Sequence, residues 1–137
     1  MDHPTLGHLD GGDGWRGTIR GVTLYVAVDE DEQGALDLAA RLSEHWQAFV
    51  QRARTVAERD MRPLYNDTWR EDAPPLDAAA FRARLEPEAL QVWGPTSADL
   101  MFADRELFWG HAVVATFHDI REGEAIERAH GDGELFG

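Results

Sequence analysis

The chain of 137 residues contains no cysteine and no lysine; its thirteen basic side chains are all arginine. Without cysteine there is no disulfide framework, thiol nucleophile, zinc finger or iron–sulfur site. The lack of lysine removes a P-loop lysine, Schiff-base chemistry and a pyridoxal-phosphate anchor. Serine is nearly absent too. Ser43 and Ser97 are its two instances, and neither sits in a nucleophile-elbow motif. No apolar run approaches the roughly 20 residues of a membrane-spanning helix. Positive charge is also in deficit. Twenty-six acids against thirteen arginines give a net charge of −13 and a pI near 4.7, the wrong sign for gripping phosphate backbones. Nucleic acid and membrane are therefore not expected as partners.

What is present suits a single globular domain. At 43% hydrophobic, with five Trp, six Phe and two Tyr, the chain can build one core without staples. Its acid is unevenly spread: residues 1–40 sum to −6, residues 41–84 to +1 and residues 85–137 to −8. The N-terminal stretch has neither a basic n-region nor an apolar segment, so no secretory signal is expected and the cytoplasm is the default location.

Residues 1–14, with four Gly and no periodicity, read as a mobile arm, and 15–137 as one α+β domain. Trp15–Ile19 and Val22–Val28 read as two strands joined at Arg20-Gly21. In the second, Val22, Leu24, Val26 and Val28 share one face. The acids Asp29 to Glu32 suit a helix N-terminus. A stripe then runs through Ala35, Leu38, Leu42, Trp46, Phe49, Ala53 and Val56 in steps of three and four, which predicts one long helix. Pro63 predicts a kink or break between Asp60 and Pro63. Asp77 caps a short second helix burying Phe81 and Leu85.

Beyond Pro87 the period becomes two. Ala89–Trp93, Asp99–Ala103, Leu107–Phe117 and Glu124–Ala129 read as a four-strand meander. The expected fold is α+β: an antiparallel sheet of two N-terminal strands plus this meander, with the long kinked helix and the short helix packed on one face.

Candidate chemistry concentrates in Asp104-Arg105-Glu106-Leu107-Phe108-Trp109-Gly110-His111. Strand alternation would put Trp109 and His111 on one face, flooring a pocket rimmed by Asp104 and Glu106, with Tyr65 and Trp69 as further lining. Core packing is the competing reading for Trp109 and His111, and it also accounts for Trp46 and Trp93. Trp69, beside a Pro-rich loop, is the tryptophan least expected to be buried. His111 and His118 are seven apart, on opposite sides of one strand, and no spaced ligand set predicts a metal. Neither catalytic residues nor a cofactor are assigned.

The run Leu107-Phe108-Trp109-Gly110-His111, preceded by an acidic turn and followed by an apolar strand and Gly131, resembles bacterial proteins grouped as domain of unknown function 2262. The resemblance extends to Leu64-Tyr65-Asn66, Trp69 and the Phe81–Leu85 helix, and so covers most of residues 20–131. Arg105 stands where a Gly would be expected in the turn before Leu107. The resemblance implies a shared α+β fold and assigns nothing catalytic.

Two functions stay open at this point. One is a non-enzymatic acidic binding module for a basic protein, an immunity-type inhibitor being the concrete form, because opposite-sign patches speed encounter. The other is an enzyme or small-molecule binder with its pocket at the Phe-Trp-Gly-His strand. Oligomeric state is not legible in the residues.

Overall fold

The computed structural model describes residues 1–28, 30–103 and 106–136. Residues 1–14, expected as a mobile arm, instead fold back on themselves: β1 (Asp2–His3) pairs antiparallel with β2 (Gly7–His8). The terminal ammonium donates to Leu9 O at 2.9 Å, and Leu9 N–H donates to Met1 O at 2.7 Å. Leu6 and Leu9 are buried in the main core. These two leucines, spaced apart among glycines and polar residues, make too short a pattern to register as an element.

Next come β3 (Gly14–Ile19) and β4 (Val22–Ala27), antiparallel in the expected register. Arg20 and Gly21 both have positive φ, 49° and 80°, the left-handed pair of a tight hairpin turn whose twist matches the strands. Val22, Leu24 and Val26 are buried, as alternation requires.

The helical stripe is real but belongs to two helices, α1 (Glu32–Glu44) and α2 (Trp46–Leu64). Asp31 caps the first, accepting Gly34 N–H at 2.9 Å; Asp29 lies outside the described residues. The chain bends at His45, with φ −107° and ψ 36°. The stripe crosses that bend without losing step, so periodicity alone does not reveal it. Ser43 O near the bend accepts from Arg20 Nε at 3.1 Å.

The break expected near Pro63 is absent: Pro63 lies inside α2. One missing N–H is tolerable so close to a helix end, and the chain widens there into a π turn, Tyr65–Trp69, in which Arg70 N–H donates to Tyr65 O at 3.0 Å. Helix α3 (Ala78–Ala83) starts where expected, with Asp77 accepting Ala80 N–H at 2.7 Å. Phe81 and Leu85 are fully buried.

The meander follows as β5 (Pro87–Val92), β6 (Ala98–Phe102), β7 (Ala112–Phe117) and β8 (Gly131–Phe136). The six long strands lie in the order β3-β4-β5-β6-β7-β8. The sheet is antiparallel except where β4 and β5 run parallel, joined by the crossover that contains the helices. Two strands differ from expectation. Residues 107–111 are a turn rather than strand. The stretch expected as the strand Glu124–Ala129 holds only a 3₁₀ turn, Ile126–Arg128, and the final strand lies beyond it.

One sheet face carries Leu24, Val26, Leu90, Leu100, Phe102, Val113 and Phe117, all buried against Leu38, Leu42, Phe49, Ala53 and Val56 of the helices. Each such side chain contributes about 1.5–3 kcal/mol of burial. The opposite face bears the cross-strand row Arg16, Tyr25, Gln91, Asp99, Thr116 and Asp132, whose side chains are exposed or half-buried. The edge strand β8 lies under α2. A Cβ on Gly133 would stand 3.0 Å from Ala57 Cα, so glycine lets the helix come this close without displacement. Asp60 Oδ2 accepts Gly133 N–H at 2.8 Å, and Arg59 Nη2 donates to Gly131 O at 2.8 Å. Helix α2 thereby satisfies part of an edge that would otherwise be open to pairing.

Candidate functional site

The residues singled out at the Phe-Trp-Gly-His run come together with those of the π turn. Leu107 and Phe108 are both buried, on a turn rather than a strand. The turn that permits it runs through left-handed backbone: Glu106 φ 66°, Trp109 φ 52° and Gly110 φ 93°. His111 N–H closes it on Phe108 O at 3.0 Å. For Glu106 and Trp109 such backbone costs on the order of 1–3 kcal/mol each, which the burial of Leu107 and Phe108 offsets.

Opposite this turn, Trp69 ends the π segment. Asn66 fixes it by clamping the following loop: its Nδ2 donates to Leu76 O and its Oδ1 accepts Leu76 N–H, both at 2.9 Å. Arg70 adds Nε to Asn66 O and Nη1 to Ala73 O, both at 2.8 Å.

The rings form a ladder from core to solvent. Phe81, Tyr65 and Phe108 stack edge to face or tilted with centroids 5.9 to 6.4 Å apart. Trp69 continues it at 5.5 Å from Phe108, and then meets Trp109 at 5.0 Å and His111 at 5.7 Å. These edge contacts align the positive rim of one ring with the face of the next. Burial falls along the ladder: Phe81, Phe108 and Tyr65 are buried, Trp69 and His111 are intermediate, and Trp109 is 62% exposed. Trp109 is therefore not a core side chain, contrary to that expectation. Nor is Trp93, which is 44% exposed, leans on Tyr25 and donates Nε1–H to Asp99 at 2.8 Å.

Of the six residues proposed from sequence, Tyr65, Trp69, Trp109 and His111 meet in this ladder. Glu106 is exposed at its turn, and Asp104 falls outside the described residues. Cavities of about 920 and 270 Å³ lie elsewhere, and neither is lined by any of these residues. The platform is an exposed aromatic surface with carboxylates nearby in the chain, at Asp67, Glu71, Asp72 and Glu106.

The carboxyl and imidazole groups whose titration the fold moves lie elsewhere, in surface ion pairs. Hydrogen bonds to Asp2 and then Asp10 raise His8 above its ordinary value, and His8 in turn lowers Asp2. Arg16 lowers Asp13, and Arg59 together with Gly133 N–H lowers Asp60. Among the described residues, no three His, Asp or Glu side chains come together in a way that could hold a metal ion. No helix of the described residues is long and apolar enough to cross a membrane.

With this geometry, the chain matches over residues 6–130 the family described as uncharacterised protein conserved in bacteria, DUF2262. The chain belongs to that family. The matched segment contains the whole aromatic ladder and both flanking turns, and it ends just before β8. No curated protein and no solved structure matches the chain.

Proposed function

We propose that the chain is a non-enzymatic acidic binding module of the cytoplasm that docks a basic protein, in the manner of an immunity-type inhibitor, through the Trp69–Trp109–His111 platform. The observation that carries this is Trp109: a tryptophan 62% exposed, held out by left-handed backbone and braced from behind by Trp69. Strained backbone that presents an aromatic ring to solvent suits recognition better than packing. Tryptophan faces attract arginine and lysine side chains, and Glu106, Glu71 and Asp72 supply carboxylates beside them in the chain. The net charge of −13 steers a basic partner toward the molecule at low ionic strength.

The test is capture at low salt on immobilised protein, run beside Trp109→Ala and Glu106→Gln. The expected result is a basic protein retained by the wild type, released as salt rises, and lost on Trp109→Ala. Recovery of no basic partner, or equal recovery on Trp109→Ala, rejects the reading.

A further inference from the structure

A cleft of about 920 Å³ lies between the Arg20-Gly21 hairpin turn and the N-terminal half of α2. In so acidic a protein its lining is unexpected: Arg20, Arg52 and Arg54 against one carboxylate, Glu127, with Trp46 and Val50 as apolar surface. Several arginines elsewhere are paired with acids, as in Arg16–Asp13, Arg59–Asp60, Arg82–Glu58 and Arg121–Asp119, while Arg41 and Arg70 bond main-chain carbonyls. The three in the cleft form no such pair among the described residues. Each instead anchors its Nε on a main-chain carbonyl: Arg20 on Ser43 at 3.1 Å, Arg52 on Ala129 at 2.7 Å and Arg54 on Leu85 at 2.9 Å.

That anchoring has a chemical consequence. With Nε committed, each guanidinium is oriented in advance, and its two Nη groups keep their donors. Such a fork matches the paired oxygens of phosphate or carboxylate, and less rotamer freedom is lost when an anion arrives. Three guanidiniums and one carboxylate leave the lining two charges positive, matching a phosphate monoester of roughly −1.5 to −2 at neutral pH. The volume falls within the ~300–1,000 Å³ of small-molecule sites.

We propose that this cleft binds a small organic phosphate, its phosphoryl group on Arg20 and Arg54, with Arg52, anchored on the opposite flank of α2 at Ala129, adding positive charge at longer range, and its apolar or aromatic part over Trp46 and Val50. A polyanionic surface is the wrong partner, because the remaining acid of the molecule repels charge that extends beyond a Debye length of about 8–10 Å. A compact anion experiences mainly the local positive field. The site is separate from the aromatic platform and shares no residue with it.

The test is a titration of the full chain with AMP, adenosine and inorganic phosphate, followed by amide and arginine Nε shifts in two-dimensional NMR. AMP is expected to saturate, with shifts concentrated in residues 46–55 and at the three arginines. Adenosine is expected to bind at least about tenfold more weakly, and Arg20→Gln or Arg54→Gln to weaken AMP by about tenfold or more, the loss expected for one charge-assisted contact, with Arg52→Gln weakening it less. Thermal melts of each variant, with Arg52→Lys and Arg54→Lys as charge-preserving controls, separate lost binding from lost fold. Vesicles carrying phosphatidylglycerol are expected not to sediment the protein. Four results would each overturn the proposal: adenosine binding as tightly as AMP, saturation by neither AMP nor inorganic phosphate, wild-type AMP affinity in a folded Arg54→Gln variant, or sedimentation with the vesicles.

Discussion

Replacing Asp60 by alanine tests how α2 holds the last strand. Asp60 accepts from Arg59 Nε and Nη2, each at 2.8 Å, and from Gly133 N–H at 2.8 Å. Arg59 is the larger influence on the acidity of the carboxyl. Its side chain is 51% exposed, however, so water replaces it readily and the pair is worth about 0–1 kcal/mol. Gly133 N–H is different, because its bond to Asp60 is partly buried beneath α2. Losing a carboxylate acceptor there costs on the order of 1.5–3 kcal/mol. Together these give about 2 kcal/mol for Asp60→Ala, a fall of roughly 1 M in the urea midpoint if m is about 2 kcal/mol/M. Arg59→Ala is expected to cost about 0.5 kcal/mol, and Asp60→Asn, which keeps an acceptor, to fall between the two. The pH dependence follows from the depressed carboxyl. Its stabilisation is full above the ordinary value of 3.8 and is lost as the pH falls through the lower folded value. The wild-type advantage should therefore hold from neutral pH to about 4.5 and shrink in stronger acid. A wild-type midpoint for Asp60→Ala, or a gap that persists unchanged in acid, would refute the reasoning.

Two further outcomes are expected. His8 titrates above its ordinary 6.5 because of Asp2 and then Asp10, so its contribution to the N-terminal hairpin is full below 6.5 and disappears as pH rises through the raised value. Lowering of Asp2 adds loss on the acid side. Exchange of Leu9 N–H, corrected for intrinsic rates, should thus be slowest between these limits, and an identical pH profile in His8→Ala contradicts the assignment. Along the aromatic ladder, denaturant unfolding of Phe108→Ala should show a loss of about 3–5 kcal/mol, whereas Trp109→Ala should lose about 1 kcal/mol, the worth of one ring contact. Equal losses would mean that Trp109 is a packing residue.

Elements whose cause is local were legible in the residues. Arg20-Gly21 announces its turn, Asp77 its helix, and the stripe from Ala35 to Val56 its buried face. What escaped reading depends on distant partners. Strand β8 hides behind Gly131 and Gly133, residues that disfavour strands in general but are needed here because Thr116 and α2 approach so closely. The parallel pairing of β4 with β5 leaves no trace in either strand. In the candidate site, Trp69, Trp109 and His111 were recognisable as unusual residues, and the structure brings them together. Their exposure was not legible, because alternation assumes a strand where the backbone is left-handed. The cleft arginines were invisible for a simpler reason. Arg20, Arg52 and Arg54 look like ordinary surface charges until the fold sets Arg20 beside α2.

The parallel β4–β5 contact also sets how the molecule can assemble. The β3–β4 hairpin and the β5–β8 meander can each form from neighbours in the chain, on the fast timescale of short loops. Neither can join the other until the whole segment 28–86 has been drawn across the sheet, and that closure is opposed by an entropy that grows only as the logarithm of its length. The helices inside the crossover shorten its effective span and carry the apolar stripe that draws the two halves together. The sheet is thus two local pieces sealed along one seam, and that seam carries the longest loop closure between neighbouring strands of the sheet.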